Sequence, residues 1–354
     1  MKWYKIIGIV IPAMMLQGCP GYGYKYNKAY FPTTPVNFTE INTVYDDYNA
    51  SSPILGNGFP LCFSSNRNSG GVNFDIVYKF ISIEFSKTSG ELSIFEGADA
   101  YQSTMGECSN LIQAVRKINT PEDELGPYLM MMDYVNDGAY GNGSYSSFIM
   151  LYSNNINGNQ DIRFTHNTGR YEYEDPLPVS FLNSDADDAY PCFNANRSAL
   201  YFCSNREGDF DIYRARTDPE KAILDLLSSS EALPIEKDTL LSSEGDDKCP
   251  YLAYNNFDLY GGEMIHNILV FASNREGGYG GYDLYYSPYV DGQWEEPVNF
   301  GAGINTEYDE YRPIVLPQWE FENDFMIFSS NRPGGLGGFD LYYVGIPGIG
   351  YPFD

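Results

Sequence analysis

The residues with most chemistry to offer are five pairs of adjacent acids: Asp46/Asp47, Asp123/Glu124, Asp187/Asp188, Asp246/Asp247 and Asp309/Glu310. Each pair lies in one recurring signature. It is clearest at 304–313 as Ile-Asn-Thr-Glu-Tyr-Asp-Glu-Tyr-Arg-Pro and returns from 41, 118, 182 and 241. Adjacent carboxylates suit three kinds of work: accepting paired hydrogen bonds from arginine, holding a hard cation such as Ca²⁺, or serving as acid and base in glycoside hydrolysis. The first use has partners in the chain, because Arg67, Arg206, Arg275 and Arg332 each end a second signature, Ser-Asn-Arg. A degenerate copy at 151–164 is read with Asn155 in the arginine position. Recurrence in every unit is what a structural tie requires, since chemistry needs one site rather than five. Asp75, Asp161, Asp211, Asp283 and Asp340, which follow the Gly-rich turns, are read as ties of those turns. Ten paired acids against four arginines still leave a surplus, open to Ca²⁺ or to a basic partner surface.

Other constellations are sparse. His166 and His266 are the only histidines, and neither lies in a metalloprotease helix motif. No Gly-x-Ser-x-Gly elbow is present. Stretches such as Gly277–Gly281 open into strands rather than helices, so they are turns and not phosphate cradles. Cys62, Cys108, Cys192, Cys203 and Cys249 show no paired spacing and read as isolated buried thiols, with a Cys192–Cys203 disulfide as the alternative. Trp319, Phe321, Tyr260, Tyr140 and Tyr145 fall in loops joining strands one and two, where aromatics could stack on sugars or cap the core.

The elements that must position these residues follow from the repeats. Starts at 41, 118, 182, 241 and 304 are spaced by 77, 64, 59 and 63 residues. Each unit reads as a strand after the acids, a turn, a second strand ending in Ser-Asn-Arg, a Gly-rich turn, a third strand from Asp, and a fourth near Pro-Val-Asn. Four short strands at a period near 60 predict propeller blades. Pro35-Val36-Asn37-Phe38 repeats Pro297-Val298-Asn299-Phe300 ahead of the first unit, so it predicts circular closure, with an N-terminal strand completing the last blade. The expectation is an all-β, five-bladed propeller of four-stranded antiparallel blades, with six blades as the alternative. Rim helices are expected near 109–117 and at 218–228, the second opened by Asp218-Pro219-Glu220. In a propeller the acidic entry loops and the Gly-rich turns emerge on one face, and the loops between strands one and two on the other.

Composition agrees with a turn-rich β chain: 354 residues, 16% aromatic, 35 Gly, 21 Pro and 32 Tyr. With 48 acids and 21 lysines and arginines the net charge is −27, which excludes nucleic acid as the default partner. Lys2 and Lys5 precede an apolar run from Ile6 to Leu16 that is too short to cross a bilayer. It ends in Leu16-Gln17-Gly18-Cys19, which resembles the lipobox of bacterial lipoproteins. That resemblance implies removal of residues 1–18, lipidation of Cys19 and a mature charge of −29. Residues 19–29 read as a tether and 30–354 as a single propeller domain. The acidic cluster that often follows the cysteine of Bacteroides-type surface lipoproteins is not present, so the face of the outer membrane stays open.

The repeats themselves, as in Phe328-Ser329-Ser330-Asn331-Arg332-Pro333-Gly334-Gly335 leading to Asp340-Leu341-Tyr342, resemble the TolB-like, WD-like β-propeller family over about residues 30–346. The resemblance implies an envelope propeller of a Gram-negative bacterium, and family members commonly have six blades. The function expected from all this is a non-catalytic, lipid-anchored module that binds or scaffolds envelope proteins on its acidic face. The alternative is a glycan-binding or glycan-degrading surface lipoprotein.

Overall fold

The structure, a computed structural model, describes residues 29–53, 58–97, 108–136, 144–169, 171–254, 267–316 and 321–348. The leader, Cys19 and nearly all of the tether lie outside them, as do Trp319, Tyr260, Tyr140 and His266.

The chain forms five antiparallel sheets arranged as a five-bladed propeller. The first blade is β2 (Asp47–Ser51), β3 (Gly58–Ser65), β4 (Asp75–Phe85) and β5 (Leu92–Glu96). The second is β6 (Glu124–Asn136), β7 (Ser144–Asn154), β8 (Asp161–His166) and β9 (Leu177–Pro178). The third is β10 (Asp188–Phe193), β11 (Ala199–Ser204), β12 (Asp211–Arg216) and β13 (Ile235–Lys237). In the fourth, β14 (Asp247–Tyr254), β15 (Asn267–Ser273) and β16 (Asp283–Val290) are joined by β17 (Gln293–Trp294) and β18 (Val298–Asn299). The fifth, β19 (Glu310–Leu316), β20 (Asn323–Ser330) and β21 (Asp340–Pro347), is completed by β1 (Val36–Asn37) from the other end of the chain.

Closure has two layers. Val36 pairs with Tyr343 and Asn37 with Tyr342, which gives the last blade its outer strand. Nearer the N-terminus, the Asn323 side chain brackets Phe31, accepting its N–H at 2.9 Å and donating to its carbonyl at 3.0 Å. Phe31 in turn stacks on Phe321 with ring centroids 3.8 Å apart. Phe321 is therefore a closure contact and not a free loop aromatic. Gly345 permits this approach, because a Cβ there would stand 2.7 Å from the Phe31 carbonyl oxygen.

The long first interval holds the extended β4–β5 hairpin and helix α1 (Cys108–Ile118), whose Leu111, Ala114 and Ile118 pack with Ile76, Leu129 and Met150. The second predicted helix is much shorter. Asp218 forms a turn with Glu220 and Lys221, and α2 covers only Ile223–Leu227, with no side-chain cap at Ala222. Three apolar residues, Ile223, Leu226 and Leu227, are all that this segment buries, too few to hold a longer helix on the rim.

Strand one of every blade bulges at the same place, two residues after its first acid. Asn49, Gly126, Tyr190, Cys249 and Arg312 occupy the bulge with φ between 48° and 61°, in the left-handed region. Four of them precede Pro127, Pro191, Pro250 and Pro313, which have no N–H for the interrupted ladder to leave unpaired.

Candidate functional site

The second acid of each pair is the first residue of strand one and is fully buried: Asp47, Glu124, Asp188, Asp247 and Glu310. The hydroxyl residue four places earlier donates both its N–H and its Oγ–H, as Thr43 does to Asp47 at 2.6 and 2.9 Å and Thr306 to Glu310 at 2.7 Å each. In four blades the arginine of Ser-Asn-Arg completes the shell. Arg206 Nη2 lies 2.5 Å from Asp188 and also reaches the Leu182 carbonyl at 2.8 Å. Arg67, Arg275 and Arg332 do the same with Asp47, Asp247 and Glu310. Arg206 lies over both Phe202 and Tyr213, and Arg275 and Arg332 are sandwiched likewise.

The first acid does different work. Asp46, Asp123, Asp187, Asp246 and Asp309 each accept the N–H of the residue that precedes strand three in the preceding blade: Phe339, Phe74, Gln160, Phe210 and Tyr282, at 2.8–2.9 Å. The carbonyl of that same residue accepts the N–H of the following acid at 2.6–2.8 Å. Within its own blade each first acid receives the asparagine of Ser-Asn-Arg, whose Oδ1 accepts the acid's N–H. The serine before Ser-Asn-Arg also crosses between blades. Ser64, Ser153 and Ser329 accept the N–H of the bulge residues Gly126, Tyr190 and Asn49. All ten acids of the ring thus have hydrogen-bond donors from the protein.

The turn acids vary. Asp283 accepts the N–H groups of Tyr279 and Gly280, and Asp340 those of Leu336 and Gly337. Asp75 and Asp161 take the side chains of Asn68 and Asn157, and buried Asp211 takes Lys237 at 2.5 Å. Among the described residues, no group of three or more His, Cys, Asp or Glu side chains is arranged to hold a metal ion.

Blade two is the exception, and the structure corrects its alignment. Asn155 bonds Asp123 just as Asn66 bonds Asp46, so it is the motif's asparagine, and Ile156 stands in the arginine position. Burial without an arginine pushes the Glu124 carboxyl up to about 7, although the Thr120 hydrogen bonds oppose the shift. Glu310 is raised too, again by burial, but Thr306 and Arg332 offset it. The thiols of Cys62, Cys192, Cys203 and Cys249 are buried and form no disulfide; Cys192 faces Tyr201 and Cys203 faces Ala189, so the two are not cross-strand partners.

On the acidic face, aromatic side chains gather against the starts of the first strands. The residue before each strand-three aspartate is Phe74, Phe210, Tyr282 or Phe339, with Gln160 in blade two, and all are half-buried. Tyr48 packs between Phe74 and Phe339, and Tyr311 stands edge-on to Tyr282 at 5.3 Å. Lys248 lies over Phe210 at 4.0 Å and 3.3 Å from Asp246, which also accepts Tyr282 Oη at 2.5 Å. The sequence signal for this cluster was an aromatic before Asp in four units of five.

No protein-family model matches the chain, and no curated protein matches it. Solved structures do. A thermostable family-43 glycoside hydrolase is 9% identical with a TM-score of 0.50, covering 90% of this chain and 98% of that one. The endo-arabinase from Bacteroides thetaiotaomicron is 11% identical with a TM-score of 0.51, covering 91% and 99%. The catalytic domain of the GH62 α-L-arabinofuranosidase from Coprinopsis cinerea is 10% identical with a TM-score of 0.50, covering 90% and 97%. At these identities the likeness is one of fold. The non-catalytic protein-binding scaffold expected from the sequence is corrected here: the three solved structures named above, which share this architecture along nearly their whole length, are a glycoside hydrolase, an endo-arabinase and an α-L-arabinofuranosidase. The acids which that expectation offered to partners are bonded within the ring.

Glu124 yields a pH prediction. Unfolded, it releases its proton near 4.5; folded, it keeps it to about 7. The folded state holds the extra proton between these values, so this group lowers stability as pH rises from about 4.5 to about 7. Ile156→Arg supplies the missing cation and should raise the thermal unfolding midpoint at pH 8 relative to the parent, with the gain shrinking toward pH 5. Equal midpoints at both pH values would remove arginine absence as the cause.

Proposed function

We propose that this chain is a glycan-active propeller that takes hold of carbohydrate at the axial mouth of its acidic face and degrades it. The observation that carries the reading is the ring of half-buried aromatics, Phe74, Phe210, Tyr282 and Phe339, set among carboxylates at that mouth. Sugars present apolar C–H faces that pack on aromatic rings and hydroxyls that donate to carboxylates. The fold neighbours, named as hydrolases of arabinose-containing glycans, support the same reading. The test is a glycan array combined with reducing-sugar release on the purified protein. Binding and turnover are expected with at least one polysaccharide, and Tyr282→Ala with Phe339→Ala should weaken binding about tenfold, worth about 1.4 kcal/mol. Silence in both assays across arabinan, galactan and xylan would refute the reading.

The same proposal places the protein in the bacterial envelope, tethered through Cys19 after cleavage at the Leu16-Gln17-Gly18-Cys19 motif. Two or more acyl chains anchor stably where one does not. Cys19→Ala should move the protein from the membrane to the soluble fraction; retention in the membrane would rule out the lipid anchor.

A further inference from the structure

The strand that closes the ring also fixes where the N-terminal segment leaves it. β21 runs away from the acidic face, because it starts at Asp340 after the Gly-rich turn, and β1 is antiparallel to it. Residues before Val36 therefore lie progressively farther from the acidic face. Pro32 accepts the N–H of Gly345 at 2.7 Å, and Ala29 accepts the N–H of Glu322 at 3.0 Å. Between them, Phe31 is bracketed by Asn323, the first residue of β20, and Ala29 also bridges in parallel to Phe321. Phe321 and Glu322 belong to the loop between strands one and two of blade five. The N-terminal segment thus leaves at the end of the propeller opposite the acidic ring, from a point that backbone hydrogen bonds hold in place.

Chain length limits what that exit allows. Ten residue steps separate Cys19 from Ala29. A chain of that length reaches about 35 Å when fully extended, and as a coil it spans about 17 Å. The acidic face lies beyond the eight residues of β20, about 26 Å from the exit at strand spacing, and the Gly-rich turn stands farther still. An anchor at Cys19 can rest against the exit end without stretching the segment. Bringing the acidic face to the same bilayer would need the segment drawn nearly straight along the outside of blade five.

Surface character does not choose between the two ends. β8 runs away from the acidic face as β21 does, so Tyr171 and Glu172, in the loop between β8 and β9, are exposed at the exit end. Leu336 and Glu307 are exposed at the acidic end. Apolar and acidic side chains are present on both, and the covalent attachment decides.

Building on the lipid-anchor reading, we infer that the end of the propeller where Ala29, Phe321 and Tyr171 lie rests on a phospholipid bilayer, and that the acidic face with Phe74, Phe210, Tyr282 and Phe339 points away from it. A polymer in the surrounding solution then meets the aromatic cluster without passing between protein and lipid.

Energy transfer in vesicles tests this orientation. The full lipidated chain, reconstituted in phosphatidylcholine vesicles with a headgroup-linked acceptor, carries a donor fluorophore at Tyr171→Cys or at Leu336→Cys, both exposed positions. Labelling of the parent protein is subtracted as background. Transfer from position 171 should be larger by about threefold or more, since the two positions stand about 26 Å apart in height. Inserting about twenty Gly-Ser residues after Pro20 lets the chain reach either face and should bring the two values together. Equal transfer at the natural tether length, or more from position 336, would overturn the orientation with the anchor reading intact. A difference that survives the insertion would overturn the tether as its cause. Protein that stays out of the vesicle fraction, with no transfer from either position, would instead overturn the anchor reading on which the inference rests.

Discussion

One interaction holds this molecule in its shape: a carboxylate in each blade accepts a backbone N–H from the blade before it, while the residue after that carboxylate returns an N–H to the same donor's carbonyl. Blades of a propeller meet face to face through side chains, and hydrophobic contact is non-directional. It can press two sheets together, but it does not fix their offset. The Asp46–Phe339, Asp123–Phe74, Asp187–Gln160, Asp246–Phe210 and Asp309–Tyr282 fasteners supply that offset at all five junctions, including the one that closes the circle.

Much of the remaining design follows from bringing a charge to each junction. An acid next to a buried acid is unfavourable unless donors surround both, so the second carboxylate is wrapped by a Ser or Thr four residues back and by a sandwiched arginine. Blade two lacks the arginine, and Glu124 responds by holding its proton. Toward the axis, strand one bulges into left-handed backbone that Tyr190, Cys249 and Arg312 would not choose alone. Serines from the neighbouring blade bond three of the five bulge N–H groups. The acidity that first suggested a docking surface is in this sense part of the framework. What is left for a ligand is the aromatic mouth and the outermost turns.

The architecture was legible because repeats report it directly. Five acidic signatures, five Ser-Asn-Arg relatives and an orphaned Pro35-Val36-Asn37-Phe38 are enough to count blades and to close the ring. Helix α1 was visible for a similar reason, with apolar residues spaced to form one face. Other features depend on contacts between units, which no single repeat displays. The strand-one bulge has no local marker beyond a following proline. The degenerate blade was aligned one residue off because Asn154-Asn155-Ile156 offers two asparagines, and only the bond to Asp123 tells which one is the motif's. The short α2 was over-read because a good cap cannot sustain a helix without a face to bury. Net charge in a sequence does not distinguish acids bonded between blades, as Asp46 and Asp309 are, from acids open to a partner.

The central claim is that the first acid of each pair is a fastener and not a free charge. Asp309→Ala removes the acceptor of Tyr282 N–H and Asn331 Nδ2, and its effect on urea unfolding at low and high salt decides the matter. A fastener predicts a loss of about 2 kcal/mol, because two part-buried donors are left without an acceptor, with little dependence on salt. An unchanged or increased stability at low salt, as expected on relieving a self-repelling ring of charge, would contradict it.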